Sequence, residues 1–345
     1  MLPASASTGR VPALPAAGVS MDPPQYRVRT SDDVDEHAGH LSAWQQQYDQ
    51  LSGGRFAGRV RELWVDGPRL QVFHEHTSRQ TSQQCAPWSG SVWFGLADRH
   101  CRQPLHFCGQ AQRTDQGRAL LRARASEGFE LRTPPDFGIY GVVLDQEWLQ
   151  AQAESAGLGL AVQGLTSPAR AIALSEERHA ALCHTFEQLL QLGQSGEVDL
   201  PWGRLALQAG LSQLLHLLCA EPAADGAAPR PAAAQRRFAL VMAARELARQ
   251  PSHEALGVDE LCQRLHLTRR TLQNHFQAVL GESPAEFLKA VRLNACRRAL
   301  RAGPPDASVQ TVAARWGFSH MGHFSHDYKV LFGELPSETR RRGAS

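Results

Sequence analysis

Apolar residues in the last third of the chain follow a pattern that occurs twice, over residues 258–284 and 309–336. Within each copy they recur at spacings of three and four residues, which predicts short helices packed on one side. Both copies end on Gly-Glu-x-Pro. The matched apolar positions are Leu261 and Val312, Leu265 and Trp316, Leu267 and Phe318, Leu272 and Phe324, Phe276 and Tyr328, and Leu280 and Phe332. The pattern predicts an all-α domain built from two helix-turn-helix units.

The first two thirds of the chain show shorter patterns. Six segments mix β-branched or aromatic residues with polar ones between Gly, Pro or Asp, which predicts strands. These are residues 56–65, 70–77, 89–96, 105–108, 129–132 and 138–144. Helices are predicted from a cap at Ser31, Asp32 and Asp33 to about Leu51, over residues 176–192 and over residues 205–218. The fold class is therefore an α+β domain, a small antiparallel sheet or barrel plus helices, followed by the all-α domain.

The helix predicted over residues 205–218 carries an apolar stripe of five leucines. They are Leu207, Leu211, Leu214, Leu215 and Leu218. A stripe at this spacing packs against the rest of the domain or forms the face of a dimer, and the sequence leaves both interpretations open.

Changes of composition along the chain divide it into four parts. Residues 1–25 contain repeated prolines and no continuous apolar core, so we expect a disordered leader. Residues 26–220 hold the α+β domain. Residues 221–234 are rich in Pro and Ala, which predicts a semi-extended linker and two domains that move relative to each other. Residues 235–345 hold the helix-turn-helix units.

Charge is unevenly distributed over the 345 residues, although the whole chain carries only +2. From Gln235 onwards there are 17 basic and 10 acidic residues, a charge of +7, against 19 basic and 24 acidic residues before it, a charge of −5. A basic domain on an acidic body predicts that the C-terminal part meets a polyanion such as DNA. The 7 cysteines are scattered and odd in number, which favours a reducing, cytoplasmic location, and no apolar run is long enough for a membrane helix.

The second helix of each unit is the one that enters a DNA major groove. In the first unit Thr268 is a good N-cap, and Leu272 and Phe276 must face inward. The side chains left to reach base edges are Arg269, Arg270, Gln273 and Asn274. Arg suits guanine, while Gln and Asn suit adenine, so this helix is predicted to select bases. The alternative is a solvated polar face.

The second unit offers weaker recognition chemistry. Ser308 is predicted to cap its first helix and Gly317 to make the turn. Its groove candidates are His320, Met321, His323, Ser325, His326 and Lys329. These side chains predict shape fit, apolar contact with thymine methyl groups and phosphate hydrogen bonds more than strong base selection.

One helix is predicted to join the two units over residues 284–302, with Pro284 at its first turn and Gly303 after its end. It is basic through Lys289, Arg292, Arg297, Arg298 and Arg301. We expect some of these residues to contact phosphates, with intramolecular pairing as the alternative for Arg292.

The C-terminal part resembles the AraC/XylS family of bacterial transcription regulators. The resemblance rests on the repeated helix-turn-helix, the two Gly-Glu-x-Pro endings, and Arg-x-Gly-Phe followed by Ser-His-x-Tyr-Lys-x-x-Phe-Gly. It covers about residues 235–342 and implies that both recognition helices contact adjacent grooves. By position it implies base contacts from Arg270, Gln273 and Asn274, and from Met321, Ser325 and His326, although the family often has Arg where His326 stands.

Two upstream segments are similar to the ethanolamine-operon regulators of that family. They are Arg-Phe-x-Gly-Arg-Val-Arg-Glu-Leu from Arg55, and Phe-Glu-Leu-x-Thr-Pro-Pro-Asp-Phe-x-Ile-Tyr-Gly from Phe129. This closer resemblance implies ethanolamine and a cobalamin as inducers. The chain has no Asp-x-His-x-x-Gly cobalamin loop.

The sequence of the first domain gives only weak support for an enzyme. In a strand, His74 and His76 share one face with Glu75 opposite, but the later Glu of a metal-binding cupin is missing. The spacing of a zinc site is not matched by His100, Cys101, His106 and Cys108. The sequence also contains no P-loop, dinucleotide motif or nucleophile triad, so no cofactor is predicted. The alternative to a regulator is an enzyme or metal-binding cupin-like domain fused to a DNA-binding tail.

These observations predict a transcriptional regulator, an activator and not an enzyme. Its expected partners are double-stranded promoter DNA, a small-molecule inducer sensed by the first domain, RNA polymerase, and a second copy of the chain.

Overall fold

The structure is a computed structural model of the chain. It describes residues 24–67, 69–112, 118–155, 157, 170–219, 232–250, 256–303 and 308–343. The predicted leader, apart from residues 24 and 25, and residues 221–231 of the predicted linker lie outside these ranges. None of the described helices is long and apolar enough to cross a bilayer.

The N-terminal domain contains twelve described strands that form two antiparallel sheets. The strands are β1 Gln25–Ser31, β2 Gln45–Gln50, β3 Gly58–Val65, β4 Leu70–Thr77, β5 Thr81–Ala86, β6 Ser91–Ala97, β7 Leu105–Phe107, β8 Gln110–Gln112, β9 Arg118–Arg124, β10 Phe129–Thr133, β11 Phe137–Asp145 and β12 Arg170–Leu174. The larger sheet has the order β1-β3-β4-β11-β6-β9-β12, and the smaller has the order β2-β5-β10-β7-β8. The domain is therefore a two-sheet sandwich, where a single small sheet or barrel was predicted.

An aromatic core lies between the two sheets. Tyr48 of β2 and Phe129 of β10 come from the smaller sheet, while Phe73 of β4 and Trp93 of β6 come from the larger one. The rings of Trp93 and Phe129 stack with their centroids 4.1 Å apart. Because side chains alternate along a strand, the next residues on each strand face outward from this core.

Helices cover the other face of the larger sheet. The described helices of this domain are α1 Val34–Ala38, α2 Gln146–Ser155, α3 Glu176–Ser195 and α4 Pro201–Cys219. Helix α1 packs at the aromatic core, whereas α3 and α4 pack on the other face of the larger sheet. Leu207, Leu211, Leu214 and Leu218 of α4 are buried in that core, and Leu215 is partly buried against it. The leucine stripe thus packs within the chain, as the first of the two interpretations has it.

The predicted helix from Asp33 to Leu51 is wrong in its second half. Asp33 does cap a helix, because its Oδ1 accepts hydrogen bonds from the backbone N–H groups of Asp35 and Glu36, both at 2.9 Å. The helix stops at Ala38, and residues 45–50 form β2, which pairs with β5. Strand pairing buries Tyr48 and Asp49, which an exposed helix would not do.

The C-terminal domain consists of seven described helices. They are α5 Ala232–Ala248, α6 Val258–Arg264, α7 Arg269–Leu280, α8 Pro284–Ala302, α9 Val309–Arg315, α10 Met321–Phe332 and α11 Pro336–Gly343. Its first half packs around Phe276 and Phe287, and its second half packs around Phe324 and Tyr328. Helix α8 has the predicted bounds and contributes to both cores. Helix α5 begins inside the predicted linker.

A buried ion cluster joins the two domains. Asp49 of β2 has a fully buried side chain, and its Oδ2 lies 2.8 Å from a guanidinium nitrogen of Arg245 in α5 and of Arg249, which directly follows that helix. Its Oδ1 lies 2.9 Å from Arg298 of α8. We call these four residues the Asp49 cluster. Three arginines of the C-terminal domain therefore converge on one carboxylate of the sandwich.

A second group of ion pairs extends this contact along α8. Arg297 is 2.9 Å from Asp35 and also contacts Asp33 through its other terminal nitrogen. Arg301 pairs with Asp33 as well. Arg297, Arg298 and Arg301 are thus committed to carboxylates of the N-terminal domain, which corrects the expectation that they contact phosphates.

This contact also differs from the expectation of two domains that move freely. The predicted mobility rested on linker composition, but the position of a domain depends on what its surface contacts. The side chains of Asp49 and Arg245 have no exposed area, so separating the domains would leave both charges to be rehydrated and re-paired.

The pKa of Asp49 reflects the cluster. Burial alone would raise it, but the positive charges of Arg245, Arg249 and Arg298 outweigh burial and hold the pKa well below its usual value. A carboxyl group whose pKa is lower in the folded state stabilises the fold fully above its unfolded pKa, about 4, and this contribution is lost as pH falls further.

The Asp49→Asn variant tests the cluster. It keeps the side-chain shape and removes the charge, so Arg245 stays buried without a counter-ion and the folded state loses about 3–5 kcal/mol at pH 7. Urea unfolding of the full chain measures this loss, with Asp199→Asn at an exposed position as the matched control. The difference from wild type should shrink below about pH 4. Equal midpoints for both variants at pH 7 would contradict the account.

Candidate nucleic-acid interface

The two helix-turn-helix units are built by the same local interactions. The Thr268 side chain accepts a hydrogen bond from the backbone N–H of Thr271 at 3.1 Å, which caps α7 as predicted. Ser308 caps α9 in the same way, accepting from the N–H of Thr311 at 2.9 Å. These side chains satisfy N–H groups that a helix cannot pair internally, so each begins where the sequence predicted.

The turn between the helices needs a left-handed backbone residue in both units. His266 has φ of 52° in the first unit, and Gly317 has φ of 77° at the matching position in the second. The turn is closed in each by the next residue, since Leu267 N donates to Cys262 O and Phe318 N donates to Ala313 O. Glycine adopts this conformation without the steric cost that a side chain imposes.

Helix α7 presents its predicted polar face. Leu272 and Phe276 are buried against α5, α6 and α8. The four predicted base-reading residues of this helix are all exposed: Arg269, Arg270, Gln273 and Asn274. Arg269 forms an ion pair with Asp259 of α6, and its hydrogen bond lowers the pKa of that carboxyl group.

Helix α10 presents a different set of side chains. Phe324 and Tyr328 are buried as predicted. Of the six predicted residues, His320, His323, His326 and Lys329 are exposed, whereas Met321 and Ser325 are half-buried. His320 occupies the N-cap position but makes no side-chain cap. When the two helix starts are matched, Gln273 corresponds to Ser325 and Asn274 to His326.

The N-terminal domain holds both recognition helices by their C-terminal ends. Arg132 of β10 donates to the carbonyl of Leu280 at 2.9 Å and pairs with Glu282 at 2.9 Å. Gln50 of β2 donates through Nε2 to the carbonyl of Leu331 at 2.6 Å. The last carbonyls of a helix lack internal partners, so these contacts satisfy them. Twelve residues at about 1.5 Å each put the opposite end of each helix, where the predicted groove residues lie, roughly 18 Å away.

The remaining basic residues of α8 have intramolecular contacts. Lys289 lies 3.2 Å from Asp327 of α10, and the guanidinium of Arg292 lies over the ring of Phe318 at 5.7 Å. Burial lowers the pKa of Arg292. Arg292 is thus used for packing within the domain, which is the alternative that the sequence left open for it.

The sandwich side chains that the sequence offered as possible metal ligands do not meet at one site. Glu75 faces the aromatic core, where it contacts His37 Nε2 and Tyr48 OH at 2.9 Å each, while His74 lies 3.5 Å from Asp98. His76 contacts Asp136 at 2.9 Å. Within the described ranges, no three His, Cys, Asp or Glu side chains are grouped as metal ligands. All seven cysteines are buried and none forms a disulfide.

The residues that hold the two domains together were missed by sequence reasoning. Asp49 and Arg245 are 196 positions apart, and Arg132 and Leu280 are 148 apart. No local period or motif marks such pairs. The only available signal was the opposite charge of the two domains, which was interpreted as evidence for DNA alone.

Comparison with known proteins agrees with this geometry. The family described as a helix-turn-helix domain matches residues 261–342. The "Probable thc operon regulatory protein" of Rhodococcus erythropolis is 38% identical over 91 residues, which cover 26% of this chain and 27% of the relative. The "XylDLEGF operon transcriptional activator" of Pseudomonas putida is 31% identical over 90 residues, covering 25% of this chain and 27% of the relative.

A solved structure also resembles part of the chain. It is a transcriptional regulator from Chromobacterium violaceum, described as containing an AraC-type DNA-binding domain, with 28% identity over 33% of this chain and 98% of that one and a TM-score of 0.29. This chain aligns with about a quarter of the length of the two relatives above. The family match and the folded units together identify residues 261–342 as a helix-turn-helix domain.

The turn geometry of the second unit is tested by Gly317→Ala. Alanine at a φ of 77° is strained, so the C-terminal domain should lose about 1–2 kcal/mol of stability. The matched control is Gly322→Ala in α10, where an added Cβ meets no atom within 4 Å and no loss is expected. Thermal unfolding of both variants measures the difference. If Gly322→Ala proves the more damaging, the turn has been placed wrongly.

Proposed function

We propose that the protein is a sequence-specific DNA-binding transcriptional regulator of the AraC/XylS type. The observation that carries the proposal is the pair of recognition helices whose base-reading ends are exposed while their other ends are held by the sandwich. Two helices fixed on one support suit two neighbouring segments of major groove. The positive charge of the C-terminal domain supplies attraction to phosphates without sequence preference.

The first recognition helix provides most of the base selection in this proposal. Arg270 is exposed one residue into α7, and a bidentate contact from arginine to guanine is the most specific that a single side chain makes. Gln273 and Asn274 lie one turn later and suit adenine. Arg269 is drawn toward Asp259, so it serves as a phosphate contact more readily than as a base contact.

The second recognition helix contributes fit and positioning. Met321 offers apolar contact to a thymine methyl group, and Lys329 offers a phosphate contact at the other end of the exposed face. Hydrogen bonds to phosphates, which accept them, and to base edges, which accept or donate them, come from His320, Ser325 and His326.

The N-terminal sandwich is proposed to sense a small-molecule inducer. The support is its direct contact with both recognition helices, since a ligand that favours one domain arrangement would alter how they meet DNA. We also propose that the protein activates transcription, contacts RNA polymerase and forms a homodimer. Activation is supported by a Pseudomonas putida relative that is named as an operon activator.

The identity of the inducer is proposed from the upstream resemblance. One segment similar to ethanolamine-operon regulators forms most of β3 with the three residues before it. The other forms β10 and the first part of β11, which lie in different sheets. Both segments support ethanolamine or a cobalamin-like molecule as the inducer. Cytoplasmic action follows from the proposed target, promoter DNA.

Arg270→Ala tests base reading by α7. It should weaken binding to a selected target duplex by about 1–3 kcal/mol and relax preference at one base pair. Fluorescence anisotropy with the target duplex and with a scrambled duplex measures both effects, and Arg264→Ala on the neighbouring helix is the matched control. Equal weakening on both duplexes would show that Arg270 contacts only phosphate.

The unequal roles of the two helices are tested by paired variants. Gln273→Ala with Asn274→Ala should reduce discrimination between target and scrambled DNA more than Ser325→Ala with His326→Ala, because the amide side chains make bidentate contacts to adenine. The ratio of the two affinities at neutral pH is the measurement. A larger loss from the second pair would reverse the ranking of the helices.

A further inference from the structure

The two helix-turn-helix units have separate hydrophobic cores. In the first core, Phe276 of α7 packs against Phe287 of α8, with their ring centroids 5.6 Å apart. Tyr328 of α10 and Leu293 of α8 belong to the second core. Among the described helices, only α8 contributes buried residues to both cores. The orientation of one recognition helix relative to the other therefore depends on α8 and on any further body that both units contact.

Helix α8 lies along the edge of the smaller sheet. Strand β2 is the last strand on that side of the sheet. The backbone N–H of Gln50 donates to Asn294 Oδ1, and Asn294 Nδ2 donates to the Gln50 carbonyl, both at 2.9 Å. One turn later, Arg298 donates to the carbonyl of Tyr48 at 3.2 Å. A neighbouring strand would make reciprocal bonds of the same kind, so side chains of α8 take the place of a strand at this edge.

The side chain of Gln50 connects this edge to the second unit. Its Nε2 donates to the carbonyl of Leu331 at 2.6 Å and to that of Gly54 at 2.7 Å. The N–H of Gly54 in turn lies 3.1 Å from the carbonyls of Val330 and Leu331. A Cβ added to Gly53 would lie 2.8 Å from the Val330 carbonyl oxygen, so the two backbones approach as closely as glycine allows. The C-terminal end of α10 is thus bound to β2 and to the loop after it.

The first unit is held from the same sheet. Arg132 of β10 donates to the Leu280 carbonyl at the end of α7. Only β5 separates β2 from β10, so the backbones of these two strands lie roughly 10 Å apart. On β5, Thr81 pairs with Gln50 and the next residue, Ser82, pairs with Arg132, so the two residues are nearly level along the sheet. The C-terminal ends of both recognition helices are therefore bound to nearby points on one hydrogen-bonded sheet.

These two points of attachment constrain the DNA spacing that the units can follow. One additional base pair between two contacted segments moves the second segment by roughly 3.4 Å along the duplex and turns it by about 35°. Units joined by α8 alone could follow part of this change, since long helices bend. Units that are also bound to the sheet could follow it only by breaking the contact to Leu280 or the contact to Leu331.

We propose that Gln50 and Arg132 are positioning residues that set the number of base pairs between the two DNA segments that the protein reads. Both hold the recognition helices at the ends opposite the groove residues, so base preference within each segment belongs to α7 and α10. Asn294 supports this role by fixing the backbone of Gln50. The role rests on the proposed function, because spacing matters only if both recognition helices read one duplex.

A series of duplexes with altered spacing tests this role in the full chain. The parent duplex is selected from a randomised pool, and base pairs are added or removed between its two protected segments. Fluorescence anisotropy measures the affinity for each duplex. Wild type should bind roughly tenfold more weakly, or worse, when the spacing changes by one base pair, because the displaced recognition helix loses its base contacts. Single-base changes inside the segments measure base preference separately.

Gln50→Met and Arg132→Met remove the contacts to α10 and α7 while nearly preserving side-chain volume. Each should reduce the penalty for changed spacing to less than about threefold, because the freed unit regains its base contacts. Base preference within the segments should stay unchanged. A merely structural role would lower the affinity for every duplex by the same factor. The matched controls, Gln45→Met and Arg59→Met, lie at exposed positions of β2 and β3 and should behave as wild type.

Different outcomes separate this role from the proposed function. Equal affinity of wild type for every spacing would overturn the role of Gln50 and Arg132 without any variant. A spacing penalty that persists in both variants would also overturn it, since α8 alone would then set the spacing. If one variant fails to fold, as circular dichroism shows, the other decides. Failure to select any duplex, or a single protected segment on the selected one, would instead overturn the proposed function itself.

Discussion

The arrangement of the two domains depends on the buried carboxylate of Asp49. A charge without solvent contact is strongly unfavourable unless it is neutralised and hydrogen-bonded, and Asp49 meets this condition only with Arg245, Arg249 and Arg298 in place. Arg245 lies in α5, Arg249 directly follows that helix and Arg298 lies in α8, so the pairing fixes the C-terminal domain in both position and rotation. A hydrophobic contact of the same area would tolerate sliding, whereas directed ion pairs do not.

The consequence for DNA recognition follows from helix polarity. The sandwich meets the C-terminal carbonyls of α7 and α10, through Arg132 and Gln50, so their N-terminal ends point away from it. Those N-terminal ends carry the side chains suited to base edges. The basic residues of α8 that would otherwise approach phosphates are used to hold the sandwich instead. Support and recognition are thus divided between the two ends of the same helices.

The C-terminal domain was predictable from sequence because its signals are local. The caps Thr268 and Ser308, the bounds of α8 and the inward side chains of both recognition helices follow from spacings of a few residues. The ten predicted groove residues lie at the surface or half-buried, as that pattern requires, although their contacts with DNA remain a prediction.

The smaller sheet was harder to predict for a physical reason. The inner face of β2 and β5 carries Gln46 and Gln83 beside Tyr48 and Cys85, where a sandwich strand usually carries apolar residues. Alternation of apolar and polar positions is therefore weak in QQQYDQ and TSQQCA, and the first of these was assigned to a helix. The partners that bury Asp49 and Arg132 lie in another domain, which no local pattern reveals.

The central claim is that two recognition helices held on one support read neighbouring segments of one duplex. The most direct measurement is a hydroxyl-radical and methylation-protection footprint of the full chain on duplexes that it selects from a randomised pool. The account predicts two protected major-groove segments on one face of the DNA, about one helical turn or 10 base pairs apart. Asn274→Ala with Gln273→Ala should alter base preference in one segment and leave the other protected. A single protected segment, or protection without any selected sequence, would contradict it.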